Sequence, residues 1–149
     1  MHVGQLVDEL AYLPTVMGFT GTRYGMTDLQ KEALVQVVEK CTEFHHGLCV
    51  GSDAEAHAIV RESTSAKIHG HPTHMKDLQA DLECDVLHSP KPPLDRDKVI
   101  VMRCKLLVAT PLTRKEERHS GTWYTVRQAR RWGKPVILIY PDGVMVRER

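Results

Sequence analysis

The chain has 149 residues, 42% hydrophobic and 26% charged, with 20 Lys and Arg against 19 Asp and Glu for a net charge of +1. That length fits one domain, residues 1–149, large enough to bury a core without disulfides or a structural metal. The composition excludes wholesale disorder, and the near-neutral balance lacks the basic excess of a nucleic-acid binder.

The N-terminal MHVGQLVDELAYLP has no basic segment followed by a long apolar run, and no later stretch approaches a membrane span, so the sequence predicts a cytoplasmic protein. Thr15–Phe19 reads as a buried strand, followed by a glycine-bearing turn, Thr20–Gly25. Thr27-Asp28-Leu29-Gln30 is a capping box, and Leu29, Ala33, Leu34, Val37, Val38 and Cys41 recur at helical spacing, predicting a helix over about 28–44. Leu48-Cys49-Val50 reads as a second strand, and Gly51–Glu55 as a turn into a second helix with a Ser52-x-x-Glu55 capping box. Lys67–His71 is a third strand stopped by Pro72, and Pro90, Pro92 and Pro93 bar a continuous helix through residues 72–93.

A helix over Leu94–Arg103 leads to a strand at Leu106–Ala109, then a charged loop from Leu112 to His119. Ser120-Gly121-Thr122 opens a last helix running through Trp132, with Gly133 as its C-cap. Trp123 and Trp132 fall on opposite sides of that helix, one for the core and one for a site or interface. Val136–Tyr140 is the last predicted strand, and Pro141-Asp142-Gly143 turns the chain outward. Apolar strands alternating with helices predict an α/β fold: a Rossmann-like three-layer α/β/α domain around a mainly parallel sheet.

Ligands of such sheets bind beyond the carboxyl ends of the strands. Three turns there combine glycine, hydroxyls and a helix start: Gly21-Thr22-Arg23, Gly51-Ser52-Asp53 and Ser120-Gly121-Thr122. Glycine permits close approach, and helix N-termini attract anions such as phosphate. Arg23 and Arg96 are candidate phosphate clamps. Asp53 and Glu55 are candidate carboxylates, each with a competing role at the start of the helix.

Together, Gly18-Phe19-Thr20-Gly21-Thr22-Arg23, Gly51-Ser52-Asp53, Arg96, Leu107–Pro111 and Ser120-Gly121-Thr122 resemble the SLOG superfamily over residues 15–140. That superfamily joins the Smf-type DNA-processing proteins to the Lonely Guy phosphoribohydrolases, and the chain looks most like its small stand-alone members. The resemblance implies a Rossmann-like sheet, a phosphate-binding loop, a nucleotide or nucleotide-derived ligand and a homodimer. In the phosphoribohydrolases, P-G-G-x-G-T-x-x-E supplies a glutamate for cleavage of the N-glycosidic bond. Here the charged loop separates Pro111 from Gly121, and Thr125 stands where that glutamate would be. Threonine is no general acid or base near neutral pH.

The resulting expectation is a nucleotide-binding module, a sensor, carrier or sequestering protein, with no cofactor beyond its ligand. The alternative is an N-glycosidase acting on a nucleoside monophosphate through Asp53 or Glu55. A DNA-handling module is disfavoured by the charge. The four cysteines (Cys41, Cys49, Cys84 and Cys104) form no C-x-x-C pair and read as reduced thiols. Among nine histidines, His69, His71 and His74 cluster most densely. No fourth ligand lies at zinc spacing, so the sequence predicts no metal, with His71 lining the ligand cleft or the turn.

Overall fold

A computed structural model describes residues 10–148. In chain order the elements are β1 (Val16–Gly21), α1 (Asp28–Val37), β2 (Glu43–His46), α2 (Ser52–Ser63), β3 (Lys67–Gly70), β4 (Val86–Leu87), α3 (Pro93–Arg103), β5 (Leu106–Thr110), α4 (Gly121–Arg131), β6 (Val136–Ile139) and β7 (Met145–Glu148). One sheet takes the order β4-β3-β2-β1-β5-β6-β7, parallel except for β7, which pairs antiparallel with β6. The chain winds outward from β1 to β4, then returns to the other side of β1 with β5. The strand order therefore reverses between β1 and β5.

Strand alternation divides the core in two. Met17, Phe19, Phe44, Ile68, Leu106, Val108, Ile137 and Ile139 pack on Ala33, Leu34 and Val37 of α1 and on Ala56 and Val60 of α2. The intervening Leu107, Ala109, Val136 and Leu138 pack on Ile100 and Val101 of α3 and on Trp123, Val126 and Ala129 of α4. The predicted α/β/α layering is what forms.

Thr27 and Gln30 form the predicted capping box on α1. Gln30 also reaches beyond its own helix: its amide nitrogen donates to Pro111 O (3.0 Å) and Ile139 O (2.9 Å), tying α1 to the ends of β5 and β6.

Several local expectations are corrected. The first helix ends at Val37, not near residue 44, because Cys41–Glu43 already turn into β2. The second strand is Glu43-Phe44-His45-His46, and the apolar Leu48-Cys49-Val50 is the loop after it, with Leu48 at φ 56°. A strand written in His and Glu carries no apolar signal, yet His45 and His46 are fully buried because their ring nitrogens find partners. The second capping box does not form: Gly51 is the N-cap of α2, without a side-chain cap bond. Glu55 instead accepts from Met26 N and pairs with Lys31 at 3.1 Å. The outward turn at Pro141–Gly143 is a hairpin into β7, a strand hidden by its polar composition. It is closed by Tyr140 N to Val144 O (2.9 Å) and held by Arg130, whose Nε and Nη2 donate to the two Glu148 oxygens at 2.9 and 3.0 Å.

Candidate functional site

Where the strand order reverses, a cavity of about 440 Å³ opens beyond the carboxyl ends of β1 and β5, which stay paired through Gly21 and Thr110. Its lining includes Gly21 at the end of β1, Thr22 and Arg23 after it, Asp53 of α2, Arg96 and Asp97 of α3, and Ser120, Gly121 and Thr122 at the start of α4. Gly51 and Ser52 belong to the layer beneath it. Gly51, at φ 83°, passes so close under the β1 turn that a Cβ there would sit 2.3 Å from Arg23 O. Ser52 N donates to Thr22 O at 2.9 Å. The N-terminus of α2 is thus occupied by protein and supports the turn.

The N-terminus of α4 is different. Ser120 Oγ accepts from Trp123 N at 3.3 Å and Ser120 O from Tyr124 N at 2.9 Å. The amides of Gly121 and Thr122 precede any intrahelical bond, so they keep the donor capacity and partial positive charge of a helix start. A Cβ on Gly121 would meet nothing within 4 Å, and both Gly121 and Thr122 line the cavity. Arg23 stands at the exposed mouth, its Nη2 donating to Tyr24 Oη at 2.9 Å, with its guanidinium carbon 5.0 Å from that ring's centre.

Arg96 is buried. Its Nη1 donates to Gly47 O (2.7 Å) and His71 O (3.1 Å), and its Nε to Asp97 Oδ1 (2.7 Å). It pins the loop after β2 and the end of β3 to α3, and its Nη2 is left 3.9 Å from Cys49 Sγ. Asp53 Oδ2 accepts from Gly47 N (3.0 Å) and Cys49 N (3.1 Å). Burial raises the Asp53 carboxyl to about 6, against the pull of Arg96. Burial also raises Asp97, opposed chiefly by Arg96. Thr125 is buried beside Asp97, its hydroxyl donating to Gly121 O at 2.9 Å. Glu55 is not part of the cavity lining, being spent on Met26 and Lys31.

Sequence reasoning overlooked Asp97. It shares the buried face of α3 with Ile100 and Val101, a helical offset that marks it as an acid turned inward. Trp123 is buried on the cavity wall and Trp132 is 60% exposed, resolving the two tryptophans into core and surface. The four cysteines are free thiols. His71 lines a second, smaller cavity on the other side of Arg96.

No protein-family model and no curated protein sequence matches the chain. A solved structure does: the molybdenum cofactor binding protein from the phototrophic bacterium Rippkaea orientalis, with TM-score 0.65 and 19% identity over 87% of this chain and 78% of that one. The likeness is one of fold. Among the described residues, no helix is long and apolar enough to cross a membrane.

Proposed function

We propose that the protein binds a nucleotide or nucleotide-derived ligand in the cavity between β1 and β5, as a small stand-alone relative of the SLOG proteins. The phosphate end lies at the Gly121 and Thr122 amides, with Arg23 closing from the opposite rim and Asp53 and Asp97 beneath. The observation that carries this reading is the open helix N-terminus of α4, facing a cavity large enough for such a ligand. The solved neighbour, a molybdenum cofactor binding protein, supports a small-molecule ligand on this fold. A homodimer, implied by the resemblance, belongs to the same reading and is checked by light scattering.

Binding without efficient turnover is favoured by Thr125, whose hydroxyl is committed to Gly121 O. One observation favours a second reading. Asp53, titrating near 6 at the cavity floor, has the poise of a general acid or base, which fits an N-glycosidase acting on a nucleoside monophosphate. Thermal-shift titration with nucleoside monophosphates and with inorganic phosphate, alongside chromatography for released base, tests both. A ligand at a hundredfold excess over Kd should add about 2.7 kcal/mol of stability. Arg23→Ala should lose most of that gain while the unliganded Tm stays nearly unchanged. No stabilisation by any nucleotide or phosphate overturns the binding site. Base release near 1 s⁻¹, an ordinary enzyme rate, replaces the binding module with the glycosidase.

A further inference from the structure

On the opposite side of Arg96 from this cavity, four histidines and a glutamate converge on the β2–β3–β4 edge. Glu43 and His45 share one face of β2, and His69 is paired in register with His45 on β3. His71 and His88 follow directly after β3 and β4. All five project to the face opposite Phe44 and Ile68, toward α3.

The ring nitrogens are close. His45 Nδ1 lies 2.8 Å from His71 Nε2, and His45 Nε2 lies 2.7 Å from Glu43 Oε1. His69 Nδ1 lies 2.8 Å from His88 Nε2, while His69 Nε2 is buried 3.3 Å from the same Glu43 oxygen without completing a hydrogen bond. His45, His71 and His88 each present one ring nitrogen, all within 4.8 Å of one another. Nitrogens bound to one tetrahedral ion at about 2.0–2.1 Å stand ~3.3 Å apart.

Proton accounting narrows the use of this cluster. A carboxylate only accepts, so neutral His45 donates through Nε2 to Glu43, leaving the Nδ1 lone pair directed at His71. Without a cation the rings pair two by two, His45 with His71 and His69 with His88. A cation would instead join the nitrogens of His45, His71 and His88 at one point. The carboxylate behind His45 is the outer-shell partner that fixes the orientation of a metal-bound imidazole.

The other histidine pair on this edge is built differently. His46 Nδ1 accepts from Leu48 N at 3.0 Å, so its proton is on Nε2 and is donated to His57 Nδ1 at 2.9 Å. Although Cys84 lies near, His46 has no lone pair left for a metal.

We propose that His45, His71 and His88 form a three-imidazole site for a first-row divalent cation of the zinc class, oriented from behind by Glu43. The donor set is all nitrogen with a single carboxylate outside it, which suits zinc, cobalt or nickel over magnesium or calcium. The site adjoins a cavity of about 210 Å³ lined by His71, His88 and Arg96, with Lys91 and Arg103 at its edge. That charge favours water or a small anion as the fourth ligand. The sequence expectation of no metal came from looking for ligands at close spacing, whereas these come from the ends of three separate strands.

The intact chain, stripped with a chelator, is titrated with Co²⁺ and read by visible absorption, and Zn²⁺ is then added to displace it. The expected result is a tetrahedral-type spectrum saturating at one equivalent per chain, lost on addition of zinc. His88→Gln, at the half-buried rim, should weaken uptake severely, and Glu43→Gln by about 10–100-fold. His74→Gln, on the exposed surface, should change nothing. X-ray absorption of the zinc-loaded native chain should show imidazole and oxygen donors without sulfur, a readout that does not depend on any variant folding. Non-stoichiometric uptake, uptake unchanged by His88→Gln, or sulfur in the coordination shell overturns the proposal.

Discussion

A methyl group at Gly21 would sit 2.4 Å from Ser52 Cβ and 2.5 Å from Thr110 Oγ1, whereas one at Gly121 would meet nothing within 4 Å. Gly21→Ala should therefore cost about 1–3 kcal/mol by forcing the ends of β1 and β5 away from α2. Gly121→Ala should be neutral or slightly stabilising, because a helix position favours alanine over glycine. Urea denaturation of the two variants checks the contrast, and equal midpoints would mean that the packing at Gly21 relaxes freely. Arg96 is the residue whose loss should be felt most. Arg96→Met leaves Gly47 O and His71 O without their donor and two buried carboxyls without their cation, a loss of about 3–5 kcal/mol. The same measurement checks it, with Asp97→Asn in the Met background expected to restore part of the stability.

At the scale of elements, α1 was legible because its signals are local. Thr27 and Gln30 satisfy each other's backbone within four residues, and Ala33, Leu34 and Val37 repeat on the buried face. Thr27→Ala should cost about 1 kcal/mol of stability, measured by thermal or urea unfolding. The same logic misread the start of α2. Ser52-x-x-Glu55 has the spacing of a capping box, but Gly51 takes the cap position and Glu55 is drawn to Met26 N in the loop before α1. A cap is local only when no distant donor competes. β2 and β7 were missed for a related reason: Glu43-Phe44-His45-His46 buries histidines and Met145-Val146-Arg147-Glu148 half-buries an acid, and the partners of these groups lie on other elements.

For the whole molecule, the buried histidines govern the response to acid. Burial lowers His45 to about 4, His46 to about 3 and His71 to about 2, while an unfolded histidine titrates near 6.5. Between those values the unfolded chain binds more protons than the folded one. Stability is therefore fully present above about pH 6.5 and falls as pH drops, by up to about 1.4 kcal/mol per pH unit for each such group. Asp53 acts in the opposite direction: its folded value of about 6 lies above the ordinary 3.8, so it favours the folded state on acidification through that window. Three histidines outweigh one aspartate, and the net expectation is a steep loss of stability between pH 6.5 and 4. Urea midpoints measured across that range check it. A flat profile would mean that the histidines are charged or solvated, and Asp53→Asn should make the observed fall steeper.

The one-dimensional pattern determined the layers of this protein. Apolar strands at Val16–Phe19, Leu106–Ala109 and Val136–Ile139 alternate with amphipathic helices, and burial on both faces follows from hydrophobicity alone. The same pattern marked the turns after β1, before α2 and before α4 as candidate ligand-facing segments, since glycine and hydroxyl residues at strand–helix junctions are local features. Only the tertiary structure decided how those turns differ: α4 keeps an open N-terminus, while that of α2 is filled by the β1 turn. It also decided that Arg96 and Asp97 are buried together and that Glu43, His45, His69, His71 and His88 meet at one edge. Those outcomes depend on strand order and register, which bring residues far apart in the chain within hydrogen-bonding distance. Hydrophobicity is a property of each residue, whereas a polar group's right to be buried belongs to the pair it makes.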